Sequence, residues 1–201
     1  MKRKEDGIML NILLCGVGGQ GTVLASKILA KSAIRQGKTA HTAETIGMAQ
    51  RGGSVTSHVR IGEAAYSPLI PLGRADVLIA FEPAEAVRNL PYLKDGGTSI
   101  VSNTAVKPVT DALSTTDYSG DAMFAYLRDE NIRLIEVDGE ELIRICGSAK
   151  VLNMALLGAA AASGEMNITT DDLCEIIRTT LPEKFHTMNL QAVELGARSV
   201  R

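Results

Sequence analysis

The chain has 201 residues, with 21 Lys plus Arg against 23 Asp plus Glu, 45% hydrophobic and 3% aromatic residues, and three cysteines. That length and balance exclude a disordered chain and suit one globular module over residues 1–201, with 1–7 expected to be disordered. The net charge of -2 argues against duplex nucleic acid, and the scarcity of aromatics argues against base-stacking surfaces.

Residues 9–14 are a short apolar run suited to a buried parallel strand, broken by Gly16-Val17-Gly18-Gly19-Gln20-Gly21. Residues 22–36 read as a helix on an apolar stripe of Leu24, Ile28 and Leu29, stopped by Gly37. Lys27, Lys31 and Arg35 recur every four residues, as on a solvated helix face. A second strand is expected over 38–45, then an irregular Gly-rich stretch over 44–53. Residues 54–61 alternate Val55, Val59 and Ile61 against Thr56, His58 and Arg60, the pattern of a half-buried strand. Gly62-Glu63 reads as a hairpin turn returning through 64–67, and Pro68 and Pro71 then stop regular structure.

A buried strand is expected over 76–81, a short helix from Pro83 to Asn89 with Glu82 at its start, and a strand over 98–102 after Gly96-Gly97. A helix over 119–130 and a strand over 133–138 follow, and the remainder reads as helical. Residues 150–163 are apolar nearly all round, hence a buried helix. At 12 residues, the greasy run 151–162 is short of the ~20 that span a bilayer, and the charged start is not followed by an apolar signal region, so no membrane role is expected. Thr170 is the expected cap of a helix over 171–181, and Pro182 separates it from a last helix over 183–198. Strands alternating with helices imply an α/β domain with a largely parallel sheet, a hairpin insertion and a helical C-terminal tail.

Gly16-x-Gly18-x-x-Gly21 lies between a strand and a helix, the context a dinucleotide fingerprint requires. Gly16 permits a tight turn, Gly18 a close backbone approach to phosphate, Gly19 flexibility, and the helix amides from Gly21 onward an anion site. Gln20 offers an amide donor. The acid that grips a ribose about 20 residues on is missing at the expected place; Glu44 comes late. Gln50-Arg51-Gly52-Gly53 supplies a second glycine loop carrying a guanidinium suited to phosphate. Walker-type, G-x-S-x-G and H-E-x-x-H patterns are absent from the sequence. Cys15, Cys146 and Cys174 are too few and too widely spaced for a disulfide framework, a structural zinc site or a four-cysteine iron–sulfur cluster, and they point to a reducing, cytoplasmic setting. Cys15 reads as a small buried hydrophobe, and Met154 and Met188 as core.

On these residues the sequence resembles the gamma-type component of 2-oxoacid:ferredoxin oxidoreductases. The resemblance runs through the first glycine loop, Gln50-Arg51-Gly52-Gly53-Ser54, Val59-Arg60-Ile61, Ser67-Pro68, Ala75-Asp76-Val77-Leu78, Gly96-Gly97, Asn153, Leu157-Gly158, Asn189, Ala192 and Gly196. With Ser67-Pro68-Leu69-Ile70-Pro71 and Phe81-Glu82-Pro83, it looks most like the beta subunit of the indolepyruvate enzyme. The resemblance implies a Rossmann-like fold and an oxidative decarboxylation, in which an aryl 2-oxoacid and coenzyme A give acyl-CoA and carbon dioxide, with electrons passed to ferredoxin. It also implies thiamine diphosphate and iron–sulfur clusters, for which this chain lacks the cysteines and the G-D-G…N-N signature. Both are therefore expected on a larger alpha subunit, with Gly16, Gly18, Gly19, Gln20, Gly21, Arg51, Gly52 and Gly53 holding coenzyme A or its phosphates. Other 2-oxoacids (2-oxoglutarate, ketoisovalerate, pyruvate), a stand-alone NAD(P)-dependent oxidoreductase and a plain interaction scaffold are the alternatives.

Overall fold

Six strands form one mixed sheet in a computed structural model that describes residues 9–46, 52–63, 67–106 and 120–200. They are β1 (Leu10–Val17), β2 (Ala40–Ile46), β3 (Ser54–Ile61), β4 (Ala75–Ala80), β5 (Leu93–Ser102) and β6 (Arg133–Val137), in the order β2-β3-β1-β4-β5-β6. β1, β4, β5 and β6 are parallel neighbours. β3 runs antiparallel to both β1 and β2, so it alone points backwards. The seven helices described are α1 (Thr22–Arg35), α2 (Pro83–Asn89), α3 (Asp121–Asp129), α4 (Gly139–Cys146), α5 (Leu152–Ala162), α6 (Thr170–Thr180) and α7 (His186–Arg198).

The sheet has a core on each face, because successive side chains of a strand point to opposite sides. From β1, Ile12 and Leu14 join the larger core with Ile28 and Leu29 of α1, Leu156 of α5, Ile177 of α6 and Val193 of α7. Leu13 and Cys15 join the smaller one with Ala86 of α2 and Phe124 and Leu127 of α3. Each fully buried Leu or Ile stabilises the fold by about 1.5–3 kcal/mol, and all three apolar residues of 12–14 are 0% exposed. α5 is buried from Leu152 through Ala160 and packs on α7 through two glycines. A Cβ on Gly158 would lie 2.0 Å from the Val193 carbonyl oxygen, and one on Gly196 would lie 1.8 Å from that of Ala155.

The α/β architecture, the parallel strands and the helical tail agree with the sequence reading, and four details differ. The hairpin joins β2 to β3 and wedges β3 between β1 and β2. The expected return through 64–67 falls largely on residues 64–66, outside the described residues, as does the expectation for 1–7; Ser67 lies in a bend. β5 begins at Leu93, five residues early, because the strand runs through Gly96-Gly97 with a register shift against β4. Thr169, not Thr170, caps α6: its hydroxyl accepts from the Asp172 amide while the Asp172 carboxylate accepts from the Thr169 amide, a closed capping box. In the expected basic stripe, Lys31 donates to Thr180 Oγ1 at 3.1 Å and Arg35 pairs with Glu175, so two of the three cations bind α6.

Candidate functional site

β1 feeds α1 on one face of the sheet, and β4 feeds α2 on the other. The crevice between the carboxyl ends of β1 and β4 is therefore the topological switch point, where open α/β sheets bind ligands. The first glycine loop fills it. Gly16 ends the apolar run inside β1, where a Cβ would lie 2.6 Å from Gln20 Oε1 and 2.9 Å from Phe81 Cβ. Gln20 folds back over this gap. Its Oε1 accepts from the Val17 amide at 2.8 Å, and its Nε2 donates to the Phe81 carbonyl at 3.1 Å. The Phe81 amide in turn donates to the Cys15 carbonyl at 2.9 Å. Gln20 thus latches the loop to the end of β4.

Gly21 stands at the N-cap of α1 with φ 84°, a left-handed conformation that glycine adopts without steric cost. A Cβ there would lie 2.5 Å from Asn153 Nδ2. Asn153 is 3% exposed and donates to the Gly21 carbonyl at 3.4 Å, so α5 braces the start of α1. Gly19 differs from its neighbours. Its φ is 106°, nothing lies within 4 Å of its Cβ position, and the residue is exposed.

The second loop reaches the first. The Gly18 amide donates to the Gly53 carbonyl at 2.8 Å, and the Gly52 amide donates to the Gly18 carbonyl at 3.4 Å. Reversing β3 makes this contact possible, since it brings the start of that strand beside the end of β1, with Val17 opposite Ser54. Arg51 and Gln50 lie outside the described residues.

Among the described residues, the uncapped start of α1 is the part of this edge whose chemistry suits an anion. α1 has no acidic residue in its first turn and no side-chain cap. The amides of Thr22, Val23 and Leu24 therefore have no intrahelical acceptor, and the helix dipole points its positive end at the opening beside Gly19. Such a surface suits a phosphate-class group. Thiol chemistry does not belong here: Cys15 is 0% exposed, and burial, reinforced by Glu85 and then Glu82, pushes its thiol well above the ordinary range.

Residues 11–199 match the family described as pyruvate ferredoxin/flavodoxin oxidoreductase. The chain belongs to that family. Across 93% of both chains it is 40% identical to the indolepyruvate oxidoreductase subunit IorB of Archaeoglobus fulgidus, and over 95% of its length it is 33% identical to the IorB of Thermococcus kodakarensis. A common gamma subunit of pyruvate/ketoisovalerate oxidoreductases from Thermococcus kodakarensis is 27% identical over 92% of the chain. The fold matches the gamma subunit of a keto/oxoacid ferredoxin oxidoreductase from Geobacter sulfurreducens, with TM-score 0.71 over 95% of this chain and 98% of that one, at 24% identity. It also matches 31% of a 2-oxoglutarate:ferredoxin oxidoreductase chain from Magnetococcus marinus, with TM-score 0.73 at 21% identity, in a structure with coenzyme A bound.

Within this oxidoreductase family fold, the residues expected at the site come together but divide their work. Gly16 and Gly21 are packing positions, against Phe81 with Gln20 and against Asn153. Gly18, Gly52 and Gly53 join the two loops, and the Gly18 amide expected at a phosphate is used on Gly53. The Gln20 amide expected at a ligand is used on Phe81. Gly19 is exposed and the first turn of α1 has no side-chain cap, although Thr22 itself is buried. The sequence reading did not assign Ser54 or Glu85, which anchor the second loop from below; the available signal was the acid Glu85 two residues after Pro83, at the start of the expected helix.

Proposed function

We propose that this chain is the beta, gamma-type subunit of a cytoplasmic indolepyruvate:ferredoxin oxidoreductase. In this reading it supports conversion of an aryl 2-oxoacid and coenzyme A to acyl-CoA and carbon dioxide, with electrons passed to ferredoxin. The substrate assignment is carried by full-length similarity: the indolepyruvate subunits stand above the pyruvate/ketoisovalerate gamma subunit in identity. The coenzyme A assignment is supported by the exposed Gly19 and the uncapped α1 amides, which suit its phosphates.

Thiamine diphosphate supplies the carbanion chemistry, and iron–sulfur clusters carry the electrons. We assign both to a larger alpha subunit, because Cys15, Cys146 and Cys174 lie in β1, α4 and α6 and offer no cluster ligand set. The contribution of this chain is to bind and orient. The α1 amides hold the anion, Gln20 and Asn153 fix the loop that presents them, and the paired glycines bring Gly52-Gly53 to the same edge.

The stand-alone NAD(P) reading fails on topology. In a dinucleotide fold the acid that holds the ribose ends the strand next to β1. Here β3 occupies that place and displaces the end of β2 by a further strand spacing, to about 9.6 Å. Glu44 also lies on the far strand, where it accepts from Ser26 Oγ at 3.4 Å.

The test is reconstitution. Indolepyruvate-dependent, coenzyme A-dependent viologen reduction is measured for the alpha subunit alone and with this chain. The proposal expects activity only for the pair; full activity without this chain refutes it.

A further inference from the structure

β3 begins at Ser54, directly after Gly52-Gly53. The Ser54 hydroxyl donates to Glu85 Oε2 at 2.6 Å, within the range of a hydrogen bond to an ionised carboxylate. Glu85 is 4% exposed, and carboxylates are rarely buried so deeply unless they are paired. Its other oxygen faces Arg88 Nε at 3.2 Å. Its main chain is fixed as well: the amide donates to Glu82 Oε2 at 3.0 Å, and the carbonyl accepts from the Cys15 thiol and from Asn89 Nδ2. Glu85 is therefore a rigid post under the glycine stretch rather than a group that reaches a ligand.

The stretch above it needs such a post. Gly52 and Gly53 meet Gly18 through backbone hydrogen bonds alone, and glycine has the largest conformational freedom of any residue. One short, charge-assisted bond on the next residue removes much of that freedom. From these contacts the structure assigns Glu85, acting through Ser54, as a positioning residue for the ligand edge. It pins the amino end of β3 and so fixes where Gly52-Gly53 meet Gly18 beside the open amides. The assignment rests on the coenzyme A reading above for its functional consequence, and on the geometry alone for the anchoring.

Two readouts separate those parts. The first is hydrogen exchange at the amides of residues 52–56 in the full chain. The second is apparent KM for coenzyme A and for indolepyruvate in the reconstituted complex. Ser54→Ala removes only the hydroxyl, so it serves where Glu85→Ala fails to fold. It is expected to speed exchange in that segment about tenfold and to raise the KM for coenzyme A about fivefold, with the KM for the oxoacid within about twofold. Ser54→Thr keeps the donor and should give values near those of the natural chain, whereas Glu85→Gln keeps an acceptor without its charge and should fall between the natural chain and Ser54→Ala. Unchanged exchange in Ser54→Ala overturns the anchoring role. An equal rise of both KM values overturns its selectivity for the coenzyme A edge. Faster exchange with an unchanged coenzyme A KM supports the anchoring and overturns the coenzyme A reading.

Discussion

Adding one methyl group between α5 and α7 should destabilise the protein although it improves a helix. Alanine is better than glycine in a helix interior by about 1 kcal/mol, so Gly196→Ala would stabilise α7 if the helix stood alone. In the fold, the new Cβ would sit 1.8 Å from the Ala155 carbonyl oxygen, a backbone atom that cannot rotate away. The helices must separate by more than an ångström to reach ordinary contact. Overpacking of this kind costs typically 1–3 kcal/mol, and backbone against backbone belongs at the upper end. Subtracting the propensity gain leaves a net loss of about 2 kcal/mol. For a chain of 201 residues each kcal/mol lowers Tm by about 2–4 °C, so a fall of roughly 4–8 °C is expected in calorimetry. Gly158→Ala should behave alike, since its Cβ would lie 2.0 Å from the Val193 carbonyl oxygen. The double variant should lose less than the sum, because separating the helices for one methyl makes room for the other. A raised Tm for Gly196→Ala would mean that propensity decides and that the close crossing is not a constraint.

Four further outcomes are expected. Gln20→Ala should orphan the Val17 amide and the Phe81 carbonyl, lower stability by about 1–3 kcal/mol in denaturant unfolding and weaken coenzyme A use; a variant with unchanged stability and KM would show that the latch is dispensable. Arg51→Ala should raise the apparent KM for coenzyme A more than that for the oxoacid, and equal values would remove Arg51 from the ligand edge. His58 Nδ1 accepts from the Ile70 amide at 3.2 Å, and burial lowers its pKa from the ordinary 6.5. The unfolded chain then binds the proton more tightly, so stability should fall as pH drops below about 6.5. Urea titrations at pH 7 and pH 5 should show a larger drop for the natural chain than for His58→Asn, and equal drops would refute the linkage. Thr169→Ala should cost about 1 kcal/mol and Thr170→Ala much less, because only Thr169 closes the box with Asp172; equal costs would refute that register.

What the sequence made legible is what neighbouring residues decide. An apolar run, a glycine cluster and an amphipathic stretch placed β1, the first loop and α1, because each depends on residues a few positions apart. The cap of α6 was equally local and still misassigned. Thr169 and Thr170 are both competent, and only the spacing from Thr169 to Asp172 completes the reciprocal bonds. Glycines 158 and 196 entered the sequence reading only as matches to the family, because the carbonyls that require them lie on the opposing helix. Alternation in residues 54–61 announced a strand, but not a half-buried one: His58 and Arg60 are buried like Val59 and Ile61, because the strand lies inside the sheet between β1 and β2, and such pairing is not encoded by periodicity.

That one nonlocal choice redirects the glycine motif. With β2 beside β1, a Gly-x-Gly-x-x-Gly loop would look across at the end of β2 and its acid, and the second glycine would be free for a pyrophosphate. With β3 inserted in reverse, the loop instead looks at the start of β3, and Gly18 closes onto Gly52 and Gly53. The ribose-binding position is filled by protein, while the α1 amides and Gly19 keep their opening. The same motif thereby changes from a dinucleotide cradle to an anion edge jointly built by two loops. Such an edge suits a phosphate-class group rather than a ribose.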